Sequence, residues 1–242
     1  MKMSGNKILV TGGASGIGLA LAGKFIEEGN EVIICGRRET ALQEASVKFP
    51  SLITRVCDLT DFSERESIFQ WIADKHPDLN VLVNNAGIQN WMSVSDNYFF
   101  KKASTEININ IEAPLHLVSL FIQLKSLTTI MNVTSGLAFV PLIKAPVYCA
   151  TKAFLHSFTI SLREWVRSKD IEVIEIIPPA LNTDLGGKGI HDFAPPVSDF
   201  IESIFVQLKE GKEELTFGHS EGLNNTVPDL WKQTFIKMNQ LN

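Results

Sequence analysis

The sequence predicts an α/β architecture: one doubly wound parallel sheet of about seven strands, with helices on both of its faces. Three observations carry that expectation. Short apolar runs alternate with longer segments of helical periodicity along the whole chain. The first run, Ile8-Leu9-Val10, passes through a glycine-rich turn straight into a helix, Lys7 to Gly18 reading Lys-Ile-Leu-Val-Thr-Gly-Gly-Ala-Ser-Gly-Ile-Gly. Polar or glycine clusters then recur where successive runs end, at 11–18, 36–38, 58–59, 84–87, 134–136 and 178–183.

Each element has a local reason. Unbroken apolar runs are what strands buried on both faces require, and Ile8–Val10 is the first. Residues 17–28 continue at helical spacing through Leu19, Leu21, Phe25 and Ile26, and Gly29 follows as a C-terminal stop. A second strand is expected at 31–35, a helix at 40–49 ended by Pro50, and a third strand at 53–57. Asp61 and Glu64 have capping-box spacing ahead of a helix carrying Ile68, Phe69 and Ile72. Val81-Leu82-Val83 forms a fourth strand that runs into Asn84-Asn85-Ala86-Gly87. A polar, aromatic loop precedes a long helix over about 104–124, then a fifth strand at 129–133, a second long helix at 147–166 and a sixth strand at 172–177. A Gly/Pro-rich stretch from Pro178 to Pro196 leads to a helix at 197–210, a short strand at 215–217, and a closing helix at 228–238 with proline in its first turn. Strand–helix alternation of this kind gives right-handed βαβ units, and residues 1–242 read as one domain without repeats or linkers.

Composition narrows the function. A length of 242 residues suits a single α/β domain. The formal net charge of −5 argues against nucleic acid as a partner. The most apolar stretch, 115–124, contains His116 and is too short to span a bilayer. The chain starts almost directly in its first strand, so no signal peptide is expected. Cys35, Cys57 and Cys149 are odd in number and form no CxxC pair, which suits a reducing cytoplasm and gives no cysteine zinc site. The histidines at 76, 116, 156, 191 and 219 are equally scattered and read as surface or packing residues, so no metal is expected.

In a sheet of this type ligands bind beyond the carboxyl ends of the strands, where the polar clusters lie. Gly12, Gly16 and Gly18 lack the Cβ atoms that would block a tight turn, and the helix start behind them offers free N–H groups to a phosphate. Their spacing is G-x-x-x-G-x-G. Tyr148 and Lys152 stand four apart near a helix start, one turn from each other on one face. Two readings fit that pair alone: a packed ring beside a solvated lysine, or a phenol whose ionisation the ammonium assists. In the second, a cation at ~4 Å stabilises phenolate by up to ~4 kcal/mol at an effective dielectric of 20. Ser135, at the end of the preceding strand, offers a hydroxyl to a carbonyl or alcohol.

Together, Thr11-Gly12-x-x-x-Gly16-x-Gly18, Asn84-Asn85-Ala86-Gly87, Ser135 and Tyr148-x-x-x-Lys152 resemble the short-chain dehydrogenase/reductase family over nearly the whole chain. The segments Glu106–Leu117 and Ile177–Asp184 resemble, more loosely, a bacterial subgroup of oxidoreductases encoded with D-alanine-transfer genes. The family resemblance implies a Rossmann-like domain that binds NADP(H) or NAD(H) and transfers a hydride between nicotinamide and a small carbonyl or alcohol substrate. It implies that Tyr148 is the general acid/base, that Lys152 lowers its pKa and holds the nicotinamide ribose, and that Ser135 holds the substrate oxygen. Asn110 matches the family's relay asparagine, with Asn108 close enough to compete for the assignment.

Gly12, Gly16 and Gly18 allow the close approach of a pyrophosphate, Ile17 joins them in binding the cofactor, and Ser15 offers a hydroxyl contact beside the arginines that follow Gly36. By the resemblance Asp58 and Leu59 take the adenine, and Asn85, Ala86 and Gly87 the adenosine ribose. Pro178 and Thr183 take the nicotinamide side. Gly36 stands where NAD enzymes place a carboxylate, and Arg37 and Arg38 follow it. That favours NADP over NAD, because a guanidinium grips a 2′-phosphate bidentately; the two arginines also suit plain exposed charges at a helix start. Pro179 replaces the family's usual glycine. Residues 184–196, with Gly186, Gly187 and Gly189, fall where relatives carry a substrate lid, and 89–100, with Trp91, Met92, Tyr98 and Phe99, offer a pocket wall or a packed loop. Phe154, Phe158, Leu162 and Trp165 exceed what one core face needs, which by analogy leads to a homodimer or homotetramer. A non-catalytic dinucleotide-binding sensor or scaffold on the same fold remains the alternative of a different class.

Overall fold

A computed structural model describes residues 1–225 and 228–240. Its centre is a seven-stranded sheet in the order β3-β2-β1-β4-β5-β6-β7, parallel throughout. The strands are β1 (Lys7–Thr11), β2 (Glu31–Gly36), β3 (Ile53–Val56), β4 (Val81–Asn84), β5 (Thr129–Val133), β6 (Glu172–Ile177) and β7 (Glu214–Thr216). The order reverses between β1 and β4, which opens the crevice where sheets of this kind take ligands.

The pleat sorts the apolar runs into two layers. Ile8 and Val10 of β1 join Ile174 and Ile176 of β6 on one face, against α1 (Gly16–Glu27) and, later in the chain, α7 (Val197–Lys209). Leu9 and Val173 face the other way, against α3 (Phe62–Lys75), α5 (Ala113–Phe121) and α6 (Pro146–Val166). The remaining helices are α2 (Glu39–Lys48), α4 (Phe99–Ile107), α8 (His219–Asn224) and α9 (Pro228–Asn239). No helix among the described residues is long and apolar enough to cross a membrane.

Several local expectations change in detail. Asp61 caps α3 by accepting from the Ser63 and Glu64 N–H groups, but the Glu64 carboxylate reaches the N–H of Asp58 rather than that of Asp61. The long helix expected over 104–124 begins earlier, at Phe99, and is interrupted by a π-helical turn at Asn108–Glu112. Pro114 supplies the reason: it has no N–H to give the Asn110 carbonyl, so the α ladder breaks there. The third strand stops at Val56, and the last lies one residue earlier than its apolar pattern. Helix α8 was not legible, since His-Ser-Glu-Gly-Leu-Asn is too short to show a period.

Candidate active site

The glycine turn and the end of β4 are stitched into one surface. Thr11 Oγ1 donates to the Val83 carbonyl (3.1 Å) and accepts from the N–H groups of Asn85 (3.0 Å) and Ala86 (3.1 Å). The Asn85 amide answers by donating to the carbonyls of Thr11 (2.8 Å) and Gly12 (3.2 Å). Gly12 has φ +63°, and a Cβ on it would lie 2.9 Å from Ala86 Cα. A Cβ on Gly18 would collide with the Gly12 carbonyl and the Asn85 amide. The sequence therefore places glycine where backbone meets backbone, and the N-terminus of α1 stays open behind it.

A cleft of about 1420 Å³ runs along the carboxyl ends of the strands. That exceeds the ~300–1,000 Å³ typical of compact ligands, as an extended one requires. Gly12, Ser15, Gly16, Ile17 and Gly18 line one end together with Arg37 and Arg38. Both arginines are exposed, and Arg38 Nη2 donates to Ser15 Oγ at 3.4 Å. Asp58 and Leu59 line the same end. Their loop is fixed by Thr60, whose N–H and hydroxyl donate to Asp58 Oδ1, and by Arg65, which donates to the Leu59 carbonyl at 2.7 Å. Asn85, Ala86, Gly87, Pro178 and Thr183 line the cleft, as do Ser135, Tyr148 and Lys152.

Ser135 caps a single 3₁₀ turn at Gly136–Ala138, its Oγ accepting from the Leu137 N–H (3.1 Å). Tyr148 is buried and lines the same cleft as Ser135. Pro146 opens α6, so Tyr148 falls in its first turn and Lys152 one turn on. Burial pushes the Tyr148 phenol well above its ordinary value, with the Ser135 side chain working in the opposite direction. Burial also lowers the Lys152 ammonium to about 8. Lys152 Nζ lies 5.7 Å from the Tyr148 ring centre and donates to the Val133 carbonyl at 2.8 Å. Desolvation is thus the largest influence on both groups in this geometry.

Asn110 sits behind the cleft wall. Its Oδ1 accepts from the Ile88 N–H (2.9 Å), and its Nδ2 donates to the Ile88 carbonyl (2.9 Å) and to Thr151 Oγ1 (3.0 Å). A Cβ on Gly87 would lie 3.3 Å from Asn110 Oδ1 and 3.5 Å from Lys152 Nζ, so these groups converge. Asn108 turns elsewhere, to Thr60 and Arg65.

At the other end Trp91 and Tyr98 line the cleft, while Met92 is buried in the core. Gly186, at φ +80°, approaches Trp91 so closely that a Cβ would lie 3.1 Å from Nε1. His219 and Leu223 of α8 and Met238 of α9 line the cleft as well, a contribution that sequence reading did not anticipate. Glu106 was missed as well. It is fully buried on α4, Oε1 accepts from the backbone and side chain of Asn90, Oε2 has no partner, and burial raises its carboxyl. A glutamate inside an otherwise amphipathic helix carries no signal that separates it from a surface charge. Among the described residues no group of three His, Cys, Asp or Glu could hold a metal ion.

Comparison with known proteins identifies the family and the fold. The short chain dehydrogenase family model matches residues 6–192. The uncharacterized oxidoreductase DltE of Bacillus subtilis is 43% identical over 99% of this chain and 98% of its own, as the looser resemblance to the D-alanine-transfer subgroup implies. Serine 3-dehydrogenase of Rhizobium radiobacter is 34% identical over 75% of this chain and 74% of its own. Among solved structures, a short chain dehydrogenase from Burkholderia cenocepacia in complex with NADP superposes with a TM-score of 0.82 at 23% identity, covering 98% of each chain; at that identity the likeness speaks to the fold.

Proposed function

On the premise that this chain belongs to the short-chain dehydrogenase family, we propose that it is an NADP(H)-dependent oxidoreductase acting on a carbonyl/alcohol pair, with Tyr148 as general acid/base. The observation that carries the reading is the convergence of Ser135, Tyr148 and the buried Lys152 on one cleft, the last two one helical turn apart on α6. The cleft fits a dinucleotide: two glycines stand where a Cβ would strike backbone, beside an open helix start. Bound there, the cofactor supplies or accepts the hydride. Ser135 Oγ and Tyr148 Oη hold the substrate oxygen between them. In reduction Tyr148 gives its proton to that oxygen, and in oxidation it takes the proton back. A phenol held above its ordinary value keeps that proton at neutral pH, which suits the acid role. Lys152, at about 8, is mostly charged at pH 7 and serves the ribose and the phenol from the cleft floor.

Arg37 and Arg38 support the NADP preference. They are exposed at the cleft rim, Arg38 reaches Ser15 Oγ, and no carboxylate occupies 36–38. Residues 184–196 act as the substrate lid and choose the substrate together with 89–100, and the whole chain works as one domain. The serine 3-dehydrogenase relative makes serine and related hydroxy acids the first compounds to try. The buried free thiols suit a cytoplasmic setting. Phe154 and Trp165 of α6 remain exposed while Leu162 is buried and Phe158 packs on the core, which supports a homodimer or homotetramer. Sedimentation analysis is expected to give two or four times the 26.8 kDa chain mass, and a monomer would remove that part of the reading.

The decisive variant is Tyr148→Phe. It is expected to bind NADPH as the native chain does while turnover falls by ~10²–10⁴, the range of general acid–base catalysis. Unchanged turnover would remove Tyr148 from the mechanism. A protein that binds NADPH yet reduces no carbonyl in either form would fit the sensor alternative.

A further inference from the structure

A second set of polar groups lies behind Ser135, on the face of the sheet that α6 covers. Glu175 stands in mid-β6 on the same pleat face as Val173, between Ile174 and Ile176, and is fully buried. A carboxylate withdrawn so far from water requires charged and hydrogen-bonding partners. It has both. Thr134 Oγ1 donates to Glu175 Oε1 at 2.6 Å, and His156 Nδ1 lies 3.0 Å from each carboxylate oxygen. His156 is one turn beyond Lys152 on α6, and its ring meets Phe139 edge-on at 4.6 Å. Thr134 and Phe139 bracket Ser135 in sequence. The backbone beside Ser135 is also tied to the β6 side, Thr134 N–H donating to the Ile176 carbonyl (2.8 Å) and Gly136 N–H to that of Pro178 (2.9 Å).

We propose that Glu175 and His156, acting through Thr134, are positioning residues that set where Ser135 Oγ stands relative to the Tyr148 hydroxyl. Their importance for turnover rests on the oxidoreductase reading above; the contacts themselves do not. Glu175 and His156 do not line the cleft, so they touch neither substrate nor cofactor. The arrangement depends on the proton of His156. The hydrogen bond to Glu175 holds the imidazole above its ordinary value against its own burial, and Glu214 of β7 adds to this while Arg163 of α6 opposes it. Lys152, the other cation on this stretch of α6, is turned to the Val133 carbonyl, and the facing Phe139 and Thr134 carry no charge. Below the raised midpoint the imidazole is charged and the clamp closed. As pH climbs through that midpoint the ring loses its charge, Glu175 loses its compensation, and the hold on Thr134 and Ser135 slackens.

The chain has only two tyrosines, Tyr98 and Tyr148, so ¹³C at tyrosine Cζ gives one exposed and one buried signal. We would titrate protein carrying that label and ¹⁵N-histidine, free and with NADP⁺, by NMR. The Tyr148 signal is expected to inflect at the His156 midpoint while Tyr98 does not, and Glu175→Gln should carry both inflections to lower pH together. In Ser135→Ala the His156 midpoint should stay and the Tyr148 inflection disappear, which also serves should Glu175→Gln fail to fold. A Tyr148 signal that is flat across the His156 titration, or an inflection that survives Ser135→Ala, would overturn the proposal. Failure of NADP⁺ to bind, with the inflections still coupled, would count against the oxidoreductase reading and leave this one standing.

Discussion

Lys152 is a cation kept in the cleft floor at a cost in stability. Its value near 8 lies below the ordinary 10.5 because burial disfavours the charge. The unfolded chain therefore binds more protons between pH 8 and 10.5, and native stability attributable to this residue rises through that window. The penalty is fully present below pH 8 and amounts to roughly 3 kcal/mol at ~1.36 kcal/mol per pKa unit. Lys152→Met removes it. Its stability relative to the native chain should fall by up to ~3 kcal/mol between pH 7 and pH 10.5 in denaturant titrations, with turnover lost throughout. A pH-independent difference would show that the ammonium is not desolvated. The residue types at this site were legible because their spacing is fixed by one strand end and one helix turn. The direction of the pKa shifts was not, since spacing carries no information on burial. Glu175 did leave a trace, as a carboxylate inside the run Val-Ile-Glu-Ile-Ile, but its partners Thr134 and His156 lie 41 and 19 residues away.

Two helices carry the site, and each departs from plain amphipathicity. The sheet-facing stripe of α6 is polar: Lys152 donates to Val133, His156 meets Glu175, Thr159 accepts from Asn132, and Arg163 donates to the Val173 carbonyl. Asn132 is joined in turn by Asn84 of β4, so a buried polar row ties three strands to one helix. Partners of this kind orient a helix more sharply than apolar packing alone, which bears on keeping Tyr148 over the cleft. In the α4–α5 helix the π turn at Asn108–Glu112 sets Asn110 against Ile88 and Thr151. Pro114→Ala restores the missing N–H, and the turn should relax towards α geometry. The regained hydrogen bond, ~1 kcal/mol, is largely offset by the freer unfolded chain, so we expect little change in thermal stability together with reduced turnover. Unchanged turnover would mean that Asn110 tolerates a regular helix. Periodicity revealed the long helix but not its interruption, because a single proline also suits a helix start.

At the scale of the whole molecule, the strand order brings together turns that are far apart in sequence. Reversal between β1 and β4 places the glycine turn beside Asn85 and opens the cleft. That much was legible, since alternating strands and helices permit few topologies. The covering by α8 and α9 was not: Trp231 donates to the Phe139 carbonyl and Asn239 to that of Pro141, long-range contacts that no local pattern announces. The chain is acidic overall, yet its cleft rim carries Arg37 and Arg38, so the local charge and not the net charge bears on cofactor choice. The most direct test is a calorimetric titration of the native chain with NADPH and then NADH, repeated on Arg38→Ala. NADPH should bind more tightly than NADH, and Arg38→Ala should cost NADPH ~1.5–3 kcal/mol, the worth of a charged hydrogen bond, while leaving NADH unaffected. Equal or stronger binding of NADH would contradict the NADP assignment, and binding of neither would contradict the dinucleotide site itself.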